Sequence, residues 1–256
     1  MVGAGLALLL GVGIQASARG KHYATKLIAL TCLILLTAVF LGWPYLAQLD
    51  QGVMTLVQEH RSEAAETFVV LVTGLGDFRT QFCAAGALLI LLVLARQWRH
   101  AIFACSTTLG TAILNQTMKH TFARARPEIL AEPLTTFSMP SGHSSASFAL
   151  FMTLAVLAGR GQPVRLRLTW LALGVIPAAS ICVSRVYLGV HWPTDVLAGM
   201  LLAFFTCATS LAFVQNKQSL PALPLRVWWM ILPAMVLILG GFAAHSLTHG
   251  LVRYEY

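Results

Sequence analysis

Long apolar runs alternate with short polar stretches along most of the chain. The six clearest runs up to residue 214 are 27–48, 81–95, 101–118, 144–159, 168–184 and 195–214. A further run covers 227–246. Apolar segments of about 17–25 residues cross a bilayer as helices, and shorter ones do so with tilt or with polar ends. The pattern therefore predicts an all-α, polytopic membrane helix bundle that forms a single domain, residues 1–256.

Three other segments are harder to assign from the pattern. Residues 2–17 fit a span, a re-entrant piece or a signal peptide ending in Ala16-Ser17-Ala18. A signal peptide needs a basic region ahead of its apolar run, and none precedes this one. Residues 64–76 form a weaker apolar run, and 50–66 are expected at the membrane interface or outside the membrane.

Composition agrees with a membrane protein. Hydrophobic residues make up 57% of the chain and charged residues 10%, whereas soluble domains carry about 25% charged residues. Five cysteines fall inside the apolar runs without a CxxC pair. We expect them to be buried and free, with no disulfide and no cysteine-ligated metal.

The net charge of +8 is compatible with nucleic-acid binding, but the positions of the charges argue against it. Basic residues collect in alternating short loops, which the positive-inside rule places in the cytoplasm. Loops 49–80, 119–143 and 185–194 must then face the other side. The first is acidic and suits the outside, whereas the other two are basic, so their charges need another reason.

The first basic loop contains the stretch KHTFARARP, Lys119 to Pro127. Lys119 and Arg126 are seven residues apart and would share one face of a helix. Pro127 is expected to end that helix. A basic loop that touches anionic lipid headgroups is the alternative explanation.

The second polar stretch is PSGHSSASF, which begins at Pro140 and leads straight into an apolar run. Ser141 and Ser144 are natural N-cap residues, and Gly142 permits a tight turn. The unpaired amides of a helix N-terminus bind anions such as phosphate. A helix cap alone does not explain why His143 stands there.

The third stretch is SRVYLGVHWPTD, Ser184 to Asp195. Pro193 suits the first turn of a helix, and the helix dipole favours the negative charge of Asp195 in that turn. His191 lies four residues before Asp195, so the carboxylate can reach its imidazole. An oriented, hydrogen-bonded imidazole is a better base and nucleophile than a free one.

Together, the three stretches offer cations, a helix N-terminus, two histidines and one carboxylate. The cations are Lys119, Arg126 and Arg185. Guanidinium groups match pairs of phosphate oxygens, so this set predicts an anionic, phosphate-bearing ligand. Two histidines near a phosphate indicate a nucleophile and a general acid. Because no metal-ligand set accompanies them, the predicted chemistry is metal-free phosphoryl transfer through a phosphohistidine.

The combined pattern resembles the three-part signature of the type 2 phosphatidic acid phosphatase (PAP2) superfamily. The matching parts are Lys119-x6-Arg126-Pro127, Pro140-Ser141-Gly142-His143 and Ser184-Arg185-x5-His191-x3-Asp195. The signature spans about 119–195, and the flanking runs resemble the six-helix core of the membrane members, here about 27–214. Residues 1–25 and 215–256 lie outside this core as extra terminal segments.

The resemblance implies a role for each matching position. His191 would attack phosphorus, Asp195 would hold and polarise His191, and His143 would protonate the leaving oxygen. The phosphoryl oxygens would be bound by Lys119, Arg126, Arg185, Ser141 and the Gly142 amide.

The resemblance implies a lipid phosphate or pyrophosphate phosphatase of a bacterial-type inner membrane. The positive-inside pattern puts its active site on the outer face. Undecaprenyl pyrophosphate is the favoured substrate among undecaprenyl pyrophosphate, phosphatidylglycerol phosphate, phosphatidic acid and lipid A phosphate. We expect no cofactor, no nucleic-acid partner and no obligate protein partner. The alternatives are a lipid-to-lipid phosphotransferase with the same phosphohistidine, a non-enzymatic lipid-binding scaffold and, least favoured, a vanadate-dependent haloperoxidase.

Weaker signals lie beside the signature. Asn115 either serves the site or hydrogen-bonds another helix. Gly76 belongs to a segment that favours a turn over a pocket role. Loop 128–139 is fairly apolar, and we hypothesise that it forms a lip for a lipid chain through Ala131, Pro133, Leu134, Phe137 and Met139.

Overall fold

The computed structural model describes residues 18–129 and 136–253, and within those ranges it is helical, without strands. The helices are α1 Ala18–Gly42, α2 Ala47–Glu59, α3 Glu63–Gly74, α4 Phe78–Leu94, α5 Trp98–Phe122, α6 Gly142–Ala158, α7 Val164–Tyr187, α8 Pro193–Val214 and α9 Leu225–Arg253. The predicted all-α bundle is confirmed. The segment 2–17 lies outside the described residues.

Part of the described chain is helical, long and apolar enough to span a membrane. Five segments meet this condition: Tyr23–Gly42, Ala64–Leu94, Val164–Tyr187, Pro193–Val214 and Leu225–Ser246. Helix α6 is a shorter apolar helix. Large apolar side chains such as Ile34, Ile113, Ile176 and Leu237 are more than half exposed on the outside of the bundle. A surface of this kind suits lipid better than water, and the chain is a multi-pass membrane protein.

The region between the first two clear spans differs from the prediction. The first span ends at Gly42 instead of residue 48, and 49–80 is not a loop but contains α2, α3 and the start of α4. Helix α2 buries Asp50 and Met54, four residues apart, on one face. Asp50 occupies the buried face of this amphipathic helix, where the hydrophobic pattern calls for an apolar residue, so the pattern gave no sign that the carboxylate is buried.

Helices α5, α6 and α8 form the centre of the bundle and all pack against one another. Helix α1 covers α8, α7 covers α6, and α9 lies against α3 and α4. The largest buried apolar cluster joins α4 through α9 and includes Leu88, Phe103, Phe148 and Ile231. The run at 227–246 is therefore part of the packed bundle.

A polar stripe runs along the buried face of α5. Its four members follow at intervals of four residues, one helical turn each, and all are buried: Thr107, Thr111, Asn115 and Lys119. Thr111 Oγ1 lies 2.5 Å from Thr206 Oγ1 on α8, and Asn115 Nδ2 donates to Ser145 Oγ on α6 at 2.9 Å. Asn115 thus joins two helices, and the stripe ends at Lys119.

Glycines allow the central helices to approach closely. A Cβ atom at Gly174 on α7 would lie 2.8 Å from the Phe151 carbonyl oxygen on α6. A Cβ atom at Gly199 on α8 would lie 2.6 Å from the Ser141 carbonyl oxygen. Small residues at such crossings are typical of membrane helix packing.

We predict that Gly174→Ala destabilises the bundle, because its methyl group would meet backbone that cannot move aside cheaply. Overpacking of this kind costs about 1–3 kcal/mol, which corresponds to a fall in Tm of roughly 2–10 °C. Thermal unfolding in detergent would measure it. Gly110→Ala is the matched control, since a Cβ atom there has nothing within 4 Å. Equal Tm values for the two variants would contradict the packing argument.

Candidate active site

The three polar stretches of the sequence meet at one end of the bundle. The C-terminal ends of α5 and α7 and the N-terminal ends of α6 and α8 lie together there, because consecutive central helices are antiparallel. The basic residues Arg99 and Arg160 contact the 214–219 segment at the opposite end. The signature residues are thus separated from the basic loops by the length of the bundle.

Lys119 and Arg126 do not share a helical face. Helix α5 ends at Phe122, and Ala123 has a left-handed backbone with φ of 44°, so the helix ends before Pro127 and not because of it. Both cations nevertheless reach the segment 136–138. Lys119 Nζ donates to the Phe137 carbonyl at 2.5 Å, and Arg126 Nε donates to the Thr136 carbonyl at 2.7 Å.

Arg126 also favours one tautomer of His191. Its Nη1 lies 3.1 Å from His191 Nε2. A guanidinium can only donate hydrogen bonds, so Nε2 must be the unprotonated acceptor. The ring proton of the neutral imidazole is then on Nδ1, which faces Asp195 Oδ2 at 3.5 Å. The predicted His191–Asp195 pair is present, at a distance too long for a strong hydrogen bond.

The tight turn before His191 depends on a glycine. Gly189 has φ of 68°, and a Cβ atom there would lie 2.9 Å from Ile129 Cδ1. The Val190 carbonyl that follows accepts from Arg126 Nη1 at 2.7 Å. This turn brings the third stretch of the signature against the first.

The junction of α3 and α4 lies against two more of the predicted site residues, Arg185 and His143. Arg185 is buried, and its Nη1 donates to Thr73 Oγ1 at 2.7 Å. A Cβ atom at Gly76 would lie 3.1 Å from His143 Cδ2. Residues 75–77 do form a turn, and Gly76 also leaves the space that His143 occupies. The sequence did not reveal this role of Gly76, because the residues near it in space are distant in the chain.

Ser141 is the N-cap of α6, as expected for one of the two serines. Its Oγ accepts from the Ser144 amide at 3.4 Å and from the Ser144 hydroxyl at 3.0 Å. Ser144 lies inside the helix and is not the cap. The Ser141 amide donates to the Asp195 carbonyl at 2.9 Å, and Gly142 is the first helical residue. This contact ties the start of α6 to the start of α8.

The surroundings of His191 keep its imidazole neutral. Burial is the largest cause, and the positive charges of Arg126, Arg185 and Lys119 add to it, so the pKa of His191 is held well below its usual range. The backbone of Ser138 acts weakly in the opposite direction. The field around this histidine is therefore strongly positive, which favours an anion beside it.

A buried ion network that the sequence analysis missed lies directly behind His191. Arg124 Nη1 donates to Asp195 Oδ1 at 2.7 Å, and Arg124 Nη2 donates to Asp50 Oδ2 at 2.7 Å. The Arg124 side chain is 5% exposed, and the two carboxylates are 1% exposed or less. Removing the guanidinium would leave both carboxylates unpaired, and breaking a buried pair in this way costs roughly 3–5 kcal/mol.

Two indole rings cover Arg124. Its guanidinium carbon lies 4.5 Å from the ring centroid of Trp43 and 5.6 Å from that of Trp192, within the range of cation–π attraction. Next to this sandwich is a cavity of about 220 Å³, bordered also by Gln51 and Arg126. Trp192 is thus part of the site region, and not only an interfacial residue.

Two carboxylates accept the hydrogen bonds that the start of α8 donates. Asp195 Oδ2 accepts from the Trp192 amide at 2.9 Å and from the Ser138 hydroxyl. Asp50 Oδ1 accepts from the Thr194 amide at 3.0 Å, and Asp50 Oδ2 accepts from the Thr194 hydroxyl at 2.5 Å. A residue of α2 therefore caps the helix that carries Asp195.

The lip hypothesis is wrong for Met139. Its side chain is fully buried in a cluster with Leu36 and Leu202, so it cannot line an exposed edge. Phe137 is 39% exposed and contacts the ring of His120 edge-on. Ala131, Pro133 and Leu134 lie outside the described residues.

Residues 18–129 and 136–253 contain no group of three or more His, Cys, Asp or Glu side chains that could hold a metal ion. The polar atoms at this end of the bundle are instead arranged around a cationic pocket and one oriented imidazole.

Comparison with known proteins shows what the chain is similar to. Residues 99–219 match the profile of the PAP2 superfamily. The chain is 33% identical over 120 residues to the undecaprenyl-diphosphatase of Sulfolobus acidocaldarius, covering 44% of this chain and 54% of that protein. It is 37% identical over 102 residues to phosphatidylglycerophosphatase B of Bacillus subtilis, covering 36% and 49%. The matches thus span about half the length of these two relatives.

The fold agrees with the sequence matches. The crystal structure of a transmembrane PAP2-type phosphatidylglycerolphosphate phosphatase from Bacillus subtilis superposes with a TM-score of 0.67 at 19% identity. The similarity covers 74% of this chain and 97% of that structure. The profile match covers just under half of the chain. Together with the fold, it makes the chain similar to membrane proteins of the PAP2 superfamily.

The low pKa of His191 predicts acid sensitivity of the fold. Below the ordinary imidazole pKa of about 6.5, the unfolded state takes up a proton before the folded state does, so stability falls with pH. The Tm of the protein in detergent should drop between about pH 7.5 and 5.5, and His191→Gln should reduce that drop. His60→Gln is the control because His60 is exposed. Equal pH dependence for wild type and His191→Gln would contradict this.

Proposed function

We propose that this protein is a membrane lipid phosphatase that works through a phosphohistidine at His191. The observation that carries the proposal is the state of His191. Its Nε2 is unprotonated and lies 3.1 Å from Arg126, and its Nδ1 faces Asp195 at 3.5 Å. A neutral imidazole with an unprotonated Nε2, inside a cationic pocket, is prepared to attack an electrophilic phosphorus.

In the first step, the lipid phosphate enters the pocket and takes hydrogen bonds from the cations around His191. Nε2 forms a bond to phosphorus while the bond from phosphorus to the lipid or pyrophosphate oxygen breaks. His143 donates a proton to that leaving oxygen. The phosphorylated imidazole keeps its Nδ1 proton and is positively charged, and Asp195 stabilises that charge.

In the second step, water attacks the phosphorus while His143 accepts one of the water protons. The P–N bond breaks, its electron pair returns to Nε2, and inorganic phosphate is released. Lys119, Arg126 and Arg185 hold the equatorial oxygens in both steps, with the N-terminus of α6 at Ser141 and Gly142 as a further anion site.

For the substrate, we propose a lipid phosphate of the cell envelope, with undecaprenyl pyrophosphate as the first candidate. One relative is named an undecaprenyl-diphosphatase and another a phosphatidylglycerophosphatase, so both lipid classes belong in the test. The apolar exterior of the bundle keeps the lipid tail in the membrane while the phosphate reaches the pocket from the side. The positive-inside pattern supports a pocket on the outer face of a bacterial-type inner membrane.

The central prediction is that purified protein in detergent releases phosphate from at least one lipid of a panel, and that His191→Ala abolishes the release. The panel contains undecaprenyl pyrophosphate, phosphatidylglycerol phosphate, phosphatidic acid and lipid A phosphate. The physical reason is the loss of the attacking nitrogen. His120→Ala serves as the matched control, because His120 is exposed next to Lys119. Release that persists in His191→Ala would sink the phosphohistidine.

Two additions to the same assay probe the mechanism. Vanadate should inhibit, because it mimics five-coordinate phosphorus, and EDTA should leave turnover unchanged. Inhibition by EDTA would contradict metal-free transfer. If phosphate appears only after a second lipid is added as acceptor, the protein is a phosphotransferase instead.

The orientation in the membrane gives a separate prediction. In a background without the native cysteines, Glu128→Cys should react with a membrane-impermeant maleimide in intact cells. Lys217→Cys, at the opposite end of the bundle, should react only after permeabilisation. Both positions are exposed, so access depends on the side of the membrane alone. The reverse labelling pattern would place the pocket in the cytoplasm.

A further inference from the structure

We propose that Asp50 and Arg124 are positioning residues that hold Asp195, and through it His191, in the attacking state. Helix α2 is then part of the active-site machinery, although it contributes nothing to the PAP2 signature. The inference rests on the proposed function, because it assigns a task within that reaction.

Both carboxylate oxygens of Asp195 accept hydrogen bonds. One carboxylate oxygen accepts from Arg124 Nη1 at 2.7 Å. The other accepts from the Ser138 hydroxyl and the Trp192 amide. With both oxygens held, the carboxylate plane cannot rotate freely, and Oδ2 is kept on the side of His191 Nδ1.

Arg124 is itself held by acceptors other than Asp195. Its Nη2 donates to Asp50 Oδ2, and its Nη1 also donates to the Thr194 hydroxyl at 2.7 Å. Asp50 and Asp195 therefore hold the guanidinium between them. Without that second carboxylate, Arg124 has no anionic partner on the α2 side and can follow Asp195 or leave it.

Asp50 also holds the backbone of the first turn of α8 in place. It accepts from the Thr194 amide and hydroxyl. His191 precedes this turn by two residues and Asp195 lies inside it, so a shift of the turn changes their separation. At 3.5 Å, that separation is already at the edge of hydrogen bonding. A further lengthening would take the carboxylate away from the Nδ1 proton and leave the tautomer to the Arg126 hydrogen bond, so the form protonated on Nε2 gains population.

The test compares Asp50→Asn with Glu59→Gln. Asparagine keeps the size of Asp50 but loses its charge, whereas Glu59 is an exposed carboxylate on the same helix. We expect kcat on the best lipid of the panel to fall on the order of 100-fold in Asp50→Asn. KM should stay within about threefold, because Asp50 does not contact the cations that hold phosphate in the proposed mechanism. Glu59→Gln should match wild type in both.

A second readout needs no turnover. In protein labelled with 15N-histidine, the nitrogen shifts of the imidazole report its tautomer, and His191→Gln assigns the signal. The wild-type signal should show the proton on Nδ1, and Asp50→Asn should show a mixture of both tautomers. A variant with lower Tm but an unchanged kcat and an unchanged tautomer would assign Asp50 a structural role and overturn the proposal.

Thr194 offers a milder pair of variants in case Asp50→Asn does not fold. Thr194→Val keeps the shape and removes the hydroxyl that joins Asp50 to Arg124, whereas Thr194→Ser keeps that hydroxyl. We expect Thr194→Val to lower kcat at least tenfold with the tautomer disturbed, and Thr194→Ser to restore both. Equal behaviour of the two variants would overturn the proposal.

The two levels of inference can fail separately. If wild type releases no phosphate from any lipid, the proposed function fails, and the imidazole tautomer still decides the positioning role. If wild type is active and the Asp50 and Thr194 variants match it in kcat and tautomer, the positioning role fails and the phosphatase stands.

Discussion

One buried guanidinium holds the site together. Arg124 lies between the carboxylates of Asp50 and Asp195 under two indole rings, at the end of the bundle where the signature residues meet. A charge in such a place is tolerated only when it is paired and hydrogen-bonded on all sides. Because its partners come from α2 and α8, this one interaction fixes the helices on either side of the site.

The outer surface and the centre of the bundle differ in polarity. Its outer surface presents apolar side chains to lipid, whereas its centre carries a line of hydroxyl, amide and ammonium groups along α5. Thr111 bonds α8, Asn115 bonds α6, and Lys119 bonds the segment before α6. The same side of α5 that packs the bundle thus leads to Lys119 in the cationic pocket.

Sequence reasoning was effective where the signal is local. Apolar run length predicted the long helices, and residue spacing brought His191 to Asp195 and placed Ser141 at a helix start. It failed where the partner is remote. Asp50 and Arg124 are 74 residues apart, and nothing in either neighbourhood marks the pair. Ala123 ended α5 by a backbone conformation that alanine rarely adopts, and no propensity predicts that.

The position of α2 in the chain has a consequence for biosynthesis. Asp50 leaves the ribosome 144 residues before Thr194, the residue whose amide it caps. A lone carboxylate is expensive inside a bilayer, so α2 must wait at the water boundary until Arg124 and then α8 have been made. The ion network of Asp50, Arg124 and Asp195 is therefore completed only when α8 has been made and inserted.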